Sequence, residues 1–342
     1  MTFTTIAWPE RGSAARSRWR AAPERPVVSV CIVNWNCREL LRRCLASLFD
    51  QDQGVPFEVV VVDNASSDGA VDDLEREFPE VVLIRNVTNR GFSRGNNQAA
   101  AASSGQYFFF LNNDTEIAPH TLADFVAVAE RVPNAGMIGP KLLGPRGEVQ
   151  ISYRTRPTLG AMLHRIGLLR WTGLFRKAYA RYRRDQFDPN GERSVEVLMG
   201  AAVFLPRAIF EAAGRWDEGY DFGAEDLDLS TQVGRYGTVH FCSDIEVLHH
   251  GRVSSRENIG FAAPNTAIGF VRYFRKAGTA PIALTLYKAL VTADLPCQLF
   301  GKLAQGAWRY LGGRKLKAKK SWNAAGGLWH FLRRDLGRFW AA

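Results

Sequence analysis

Four groups of side chains in this 342-residue chain have the types and spacing to do chemistry. Asn112-Asn113-Asp114 closes the apolar run YFFFL. A carboxylate and amide oxygens there suit a hard divalent cation, Mg2+ or Mn2+, with phosphates completing its shell; an Asx-rich turn is the simpler reading. Asp63-Asn64 closes a second apolar run, where a carboxylate can accept the imide proton of uracil or thymine or can merely cap a turn. Glu225-Asp226, with Asp228, opens a helical pattern after an aromatic stretch. Such acids supply a general base whose pKa the surroundings adjust, although a helix N-terminus favours acids for its dipole alone. His249-His250 offers an imidazole ligand or two ordinary loop histidines. A weaker fifth signal is the loop Asn89 to Asn97, with Gly91 and Gly95 before a helix. Backbone amides at such a place favour phosphate, yet the spacing is not a dinucleotide fingerprint and fits a tight turn equally well.

The elements that must carry these residues alternate. VVSVCIVN (Val27 to Asn34) predicts a buried strand, Arg38 to Phe49 a helix, and FEVVVVD (Phe57 to Asp63) a second strand. Asp68 is placed to N-cap a helix bearing Val71, Leu74 and Phe78. Val81 to Asn86 and Gln106 to Asn112 supply two more strands, separated by the glycine loop and an alanine-rich helix. Apolar strands alternating with helices imply a parallel, doubly wound sheet covered on both faces. Ligands of such sheets sit at the carboxyl ends of the strands, where Asn34, Asp63-Asn64 and Asn112 to Asp114 all fall. Residues 144–194 are irregular and rich in Arg and Tyr. Val195 to Pro206 resumes strand character, Arg207 to Ala213 is helical, and two short strands run up to the paired histidines.

Length and composition bound the rest. At about 150 residues per domain the chain is two domains or one large α/β domain with an appendage. A content of 46% hydrophobic and 23% charged residues excludes a disordered or collagen-like chain. No run reaches the ~18 uninterrupted apolar residues of a membrane span, and Ala280 to Phe300 is broken by Lys288, Asp294 and Pro296. Five cysteines without CxxC spacing read as free thiols in a reducing cytosol. Residues 1–26 lack an apolar signal core and read as a disordered arm. The net charge of +10 is concentrated: residues 264–342 hold fourteen Lys or Arg against Asp294 and Asp335. That tail carries Trp308, Trp322, Trp329 and Trp340 and the basic run Arg314 to Lys320. Leu328, Trp329, Leu332, Leu336 and Phe339 share a helical face there. The pattern predicts an amphipathic extension on an anionic membrane, with packing onto the catalytic domain as the alternative. Nucleic acid is not expected, because no binding module accompanies the charge.

Taken in order, VSVCIVNWN, VVVVDNASSDGAV, NRGFSRGNNQ, FFFLNNDTEI, GAAVFLPRAIFEAAGRWDE, AEDLDLS and LHHG resemble the family-2 glycosyltransferases of bacterial surface-polysaccharide assembly, above all their rhamnosyltransferase-like branch. The likeness runs from Val27 to Lys276. It implies a GT-A fold, α/β with a mostly parallel sheet, over residues 27–263, divided into a nucleotide-sugar half (27–143) and an acceptor half (144–263). The basic helical extension then occupies 264–342. It further implies a nucleoside-diphosphate-sugar donor, Mg2+ or Mn2+, and inversion at the anomeric carbon. Carried onto this sequence, Asp63 binds the donor's pyrimidine, and Asn34, Asn64, Gly91, Asn97, Asn112 and Asn113 line the donor. Asp114 ligates the metal, and one of His249 and His250 contacts metal or diphosphate. Asp226 is the base, Glu225 its orienting neighbour, and Trp216, Asp217 and Tyr220 lie on the acceptor side. Gly219 and Gly223 stand where the family has bulkier residues. The expected reaction moves L-rhamnose from dTDP-rhamnose to a lipid-linked glycan, at the cytoplasmic face of the plasma membrane. A UDP-hexose or galactofuranose donor, a nucleotidyltransferase and a non-catalytic scaffold are the alternatives.

Overall fold

The computed structural model describes residues 25–183, 187–251 and 259–342. The expectation for residues 1–26 therefore falls almost wholly outside the described residues. Two compact units divide the chain. One takes the described residues of 1–154, 187–218 and 229–253; the other takes those of 155–186, 219–228 and 254–342.

The first unit is built on strands β1 (Val28–Asn34), β2 (Phe57–Asp63), β3 (Val82–Arg85), β4 (Tyr107–Leu111), β5 (Thr115–Ile117) and β6 (Ala135–Leu143). It continues with β7 (Tyr153–Arg154), β8 (Arg193–Ser194), β9 (Val197–Leu198), β10 (Ala202–Pro206) and β11 (Thr238–His249). Nine of them form one sheet in the order β3-β2-β1-β4-β10-β6-β11-β5, with β8 on β11, while β7 and β9 pair apart. The four strands β3, β2, β1 and β4 are parallel neighbours; β10, β5 and β8 run antiparallel to theirs. The sheet is thus mostly parallel but mixed.

Its strands read as continuous apolar runs because alternate residues enter two different cores. Val30, Ile32, Val59, Val61 and Phe109 join one core, with Leu41, Leu45 and Leu48 of the helix Arg38–Phe49. Cys31, Val60, Val62, Phe108 and Phe110 join the other, with Ala99, Ala100 and Phe210. Phe125 stacks on Phe204 at 5.1 Å and 8°, which locks the helix Thr121–Arg131 onto β10. Burying such a ring stabilises the fold by about 1.5–3 kcal/mol.

Three local expectations are corrected. The helix after β2 starts at Ala70 with Gly69 at its N-cap (φ +79°), so Asp68 stands one residue outside, its carboxylate accepting from Ala70 N and Arg38 N. Val195 to Pro206 is two strands, since a turn at Gly200-Ala201 interrupts it. The segment ending in the histidines is one twelve-residue strand whose register against β6 slips between Cys242 and Glu246.

The second unit is helical. Its long members are Ile259–Lys276, Pro281–Leu311 and Lys315–His330, followed by a π turn at Phe331–Asp335 and the helix Leu336–Ala341. Asp294 is buried and accepts from Gly167 N at 2.7 Å, holding the start of the helix Gly167–Trp171. The amphipathic face expected at the chain's end is divided: Phe339 is buried edge-on to Phe331 at 5.5 Å, Leu328, Leu332 and Leu336 are half-buried, and Trp329 is exposed. No helix among the described residues is long and apolar enough to cross a membrane.

Candidate active site

The carboxyl ends of β1, β2 and β4 carry a linked set of amides and one carboxylate. Parallel register sets Asn34 directly beside Asp63. Asn113 Nδ2 donates to Asn34 Oδ1 at 2.7 Å, and Asn34 Nδ2 donates to Asp63 Oδ1 at 3.0 Å. Ser66 supplies two more donors to Asp63, Oγ at 2.6 Å and backbone N at 2.9 Å. Only 3% of Asp63 is exposed. A carboxylate has about four lone-pair sites, so three bound donors leave Asp63 about one acceptor position, enough for a single imide N–H. Ser66 was missed by sequence reasoning, although it lies within the DNASSD stretch.

Asn64 reaches the glycine loop instead, donating to Gly91 O at 3.1 Å and accepting from Asn86 Nδ2 at 2.8 Å. Gly91 has φ +83° and opens the helix Phe92–Ala101. Gly95 lies inside that helix, where a Cβ would meet the Val33 methyls at 2.8 Å, so this glycine serves helix-on-strand packing rather than a ligand. Asn97 clamps the backbone of Trp216, donating to its carbonyl at 2.9 Å and accepting from its N–H at 3.2 Å. Trp216, expected on the acceptor side, is a core ring instead: only 2% exposed, it packs edge-on to Phe92 and Phe110. Asp217 beside it is half-buried.

Asp114 follows Asn112 and Asn113 into β5, and the pairing of β5 with β11 sets Thr115 opposite His249. His249 Nε2 therefore comes within 3.5 Å of Asp114 Oδ1. His250 turns to Glu116, with Nε2 at 2.7 Å from Oε1. Of the two histidines, His249 is the one aimed at Asp114. Gln150, a residue in no motif and from the irregular segment, fixes its ring. Gln150 Nε2 donates to the His249 carbonyl at 2.7 Å, which leaves Oε1 facing His249 Nδ1 at 2.9 Å. An amide oxygen only accepts, so Nδ1 carries a proton. In the neutral ring Nε2 is then an acceptor, and a cation between it and the Asp114 carboxylate would hold the pair together, as a proton does in the ion pair. Two donors each about 2.1 Å from one ion lie about 3–3.5 Å apart, so the observed separation fits. No group of three or more His, Cys, Asp or Glu able to hold a metal is found among the described residues, so a cation at this pair would complete its shell with amide or backbone oxygens, a bound anion or water.

In the helical unit the acidic motif begins the helix Glu225–Val233. Gly223 (φ +81°) and Ala224 (φ +73°) precede it in consecutive left-handed conformations. Such backbone strain in a residue other than glycine marks a turn that the surroundings enforce. A Cβ on Gly269 would collide with the Gly223 carbonyl, and one on Gly219 would run into the Arg272 guanidinium. The smaller residues thus admit a neighbouring backbone and an arginine. Arg272 lies 5.4 Å from the centre of the buried Tyr220 ring. Asp228 is buried and paired with Lys276 at 2.7 Å, a structural ion pair. Glu225 and Asp226 remain half-buried at the helix start.

Residues 29–192 match the family described as glycosyl transferase family 2. The chain is a glycosyltransferase with a family 2 domain. An N-acetylglucosaminyl-diphospho-decaprenol L-rhamnosyltransferase of Mycobacterium tuberculosis is 29% identical to this glycosyltransferase over 242 residues, covering 66% of this chain and 76% of that protein. The O-antigen biosynthesis protein RfbC of Myxococcus xanthus is 29% identical over 240 residues, 68% of this chain but 18% of the larger protein. Among solved structures, the mannosyltransferase PcManGT of Pyrobaculum calidifontis, in complex with GDP-Man and Mn2+, shares the fold. Its TM-score is 0.51 at 20% identity, over 93% of this chain and 90% of its own. GalNAc-T7 with UDP, GalNAc and Mn2+ gives a TM-score of 0.53 at 17% identity, over 73% of this chain and 48% of that one.

Proposed function

We propose that this glycosyltransferase moves L-rhamnose from dTDP-rhamnose to a lipid-linked glycan with inversion at the anomeric carbon. The pair Asp114–His249, 3.5 Å apart beside the Asn113–Asn34–Asp63 chain, is the observation that carries a metal-assisted diphosphate site. The choice of sugar and of lipid-linked acceptor rests on the likeness to the decaprenol-linked rhamnosyltransferase.

In this reading Asp63 accepts the imide N–H of the pyrimidine, with Asn34 and Asn113 holding its carboxylate in place. Asn64 and Gly91 line the donor. A Mg2+ or Mn2+ ion held by Asp114 and His249 would neutralise the charge on the leaving diphosphate. Asp226 takes the proton of the acceptor hydroxyl as that oxygen attacks the face opposite the leaving group, and Glu225 orients it. General-base help of this kind is worth about 10²–10⁴ in rate. The reaction is placed at the cytoplasmic face of the membrane that carries the acceptor.

The test is a thermal-shift screen of nucleotide sugars with and without Mn2+, since a ligand that binds only the native state raises Tm. A metal-dependent rise with dTDP-rhamnose supports the reading. A rise with UDP-sugars alone replaces the donor, and no rise with any of them removes the proposal.

A further inference from the structure

The helix Pro281–Leu311 is apolar on two sides: it buries Leu284, Tyr287 and Leu295, and its exposed side is apolar as well. At about 1.5 Å per residue its 31 residues span about 46 Å. A helix packed on a soluble body buries an apolar stripe and shows charge to water. Here the four charged residues turn inward or lie half-buried. Lys288 donates to the Trp340 carbonyl, Asp294 holds Gly167, Lys302 meets Gln305, and Arg309 donates to Ser321. The fully exposed positions carry no charge at all. Ile282, Leu286, Leu290, Cys297, Phe300, Trp308 and Leu311 follow one another at helical spacing along that side. Ile282 is 73% exposed, Phe300 70% and Leu311 85%. Lys288 and Asp294, which interrupt the apolar run in the sequence, do not interrupt the surface.

The stripe ends at Gly312-Gly313, and the exposed basic run Arg314, Lys315, Lys317, Lys319 and Lys320 begins there, with Leu316 79% exposed among the cations. Arg314 lies 5.9 Å from the centre of the Trp308 ring. Charge decides the occupant. A second copy of the chain would bring another strongly cationic tail against this one, whereas an anionic lipid surface accepts the apolar stripe and the cations together.

We infer that the helix Pro281–Leu311 lies in the plane of an anionic bilayer surface, its Ile282–Leu311 stripe buried among the acyl chains and the Arg314–Lys320 run on the lipid phosphates. The inference takes its purpose from the lipid-linked acceptor proposed above but is tested without any acceptor.

Cys297 lies on the stripe, and the other four cysteines are buried, so a polarity-sensitive thiol dye marks this face alone. With mixed phosphatidylcholine–phosphatidylglycerol vesicles the dye emission shifts to the blue and the protein sediments with the vesicles. The triple variant Leu286→Glu, Phe300→Glu, Trp308→Glu loses at least about tenfold in vesicle affinity, because binding scales with buried apolar area. Changing Lys315, Lys317, Lys319 and Lys320 to Gln weakens binding at low salt only. A dye that stays in water in the presence of vesicles overturns the inference. So does a dimer in sedimentation that the triple variant converts to monomer. The donor-induced rise in Tm, recorded on the same samples, keeps the two proposals apart. Lost vesicle binding with that rise intact removes this inference only, and a missing rise with vesicle binding intact removes the donor reading only.

Discussion

The strand-end cluster and the long tail helix break the same rule in opposite directions. At the ends of β1, β2 and β4, polar groups that usually face water are satisfied by one another, as in the chain from the half-buried Asn113 to the buried Asn34 and Asp63. On Pro281–Leu311, apolar groups are exposed along one side, while Asp294 is buried and the other three charged residues lie half-buried off that side. A polar ligand needs preset donors and acceptors, whose cost of ordering is met when the fold forms. An apolar surface needs no such orientation, only area. The first region is therefore stiff and specific, and the second is extended and tolerant of which lipid covers it.

The largest break in this contrast comes from Asp226→Asn. It lowers turnover by about 10²–10⁴ and leaves the donor-induced rise in Tm in place. Unchanged turnover would remove the base assignment. Gln150→Leu frees the His249 ring and weakens Mn2+ affinity by about 10–100-fold, measured by calorimetry. His250→Gln, which releases Glu116 instead, has a much smaller effect on the same titration. Asp63→Ala weakens donor binding by about tenfold or more, through the lost charged acceptor and the freed Asn34 and Ser66. Changes on the stripe leave that binding untouched.

Thiol accessibility sharpens the same comparison. Burial pushes Cys31 and Cys44 up to about 12, so both stay protonated and unreactive in the native state. Mass spectrometry after brief alkylation should find only Cys297 modified, and labelling of Cys31 or Cys44 would show that the sheet unit opens.

The smallest expected effect is on acid stability. Arg131 holds the Glu192 carboxyl down at about 2 against an ordinary 4.5. The ion pair is therefore fully stabilising above about pH 4.5 and is lost as the pH falls towards 2. Glu192→Gln flattens the acid limb of the stability curve in that window and lowers Tm slightly at neutral pH.

The strands were legible because both faces of the sheet are buried, which writes each one as an unbroken apolar run such as Val59 to Val62. The helix Arg38–Phe49 was legible to the residue for the matching reason, one apolar face at 3.6 spacing. Gln150 was not legible. It sits in an irregular segment, and its meaning depends on a carbonyl and a ring 99 residues away. Trp216 was placed on the acceptor side by the likeness of its motif alone, whereas packing on Phe92 and Phe110 makes it core. The tail was half legible. Its charge and tryptophans pointed to a surface, and of the stripe expected on residues 328–339 Trp329 is exposed while Phe339 is buried.

By itself the sequence determined the four strand segments of the nucleotide half, the acids and amides at the strand ends, and the concentration of charge in the tail. These follow from local patterns, which are complete within a few residues. Only the tertiary structure decided that the His249 rather than the His250 side chain meets the Asp114 carboxylate, because that choice depends on the register of β5 against β11. It alone decided which side of Pro281–Leu311 faces out, because helical spacing defines the faces of a helix but not the side on which the rest of the unit packs.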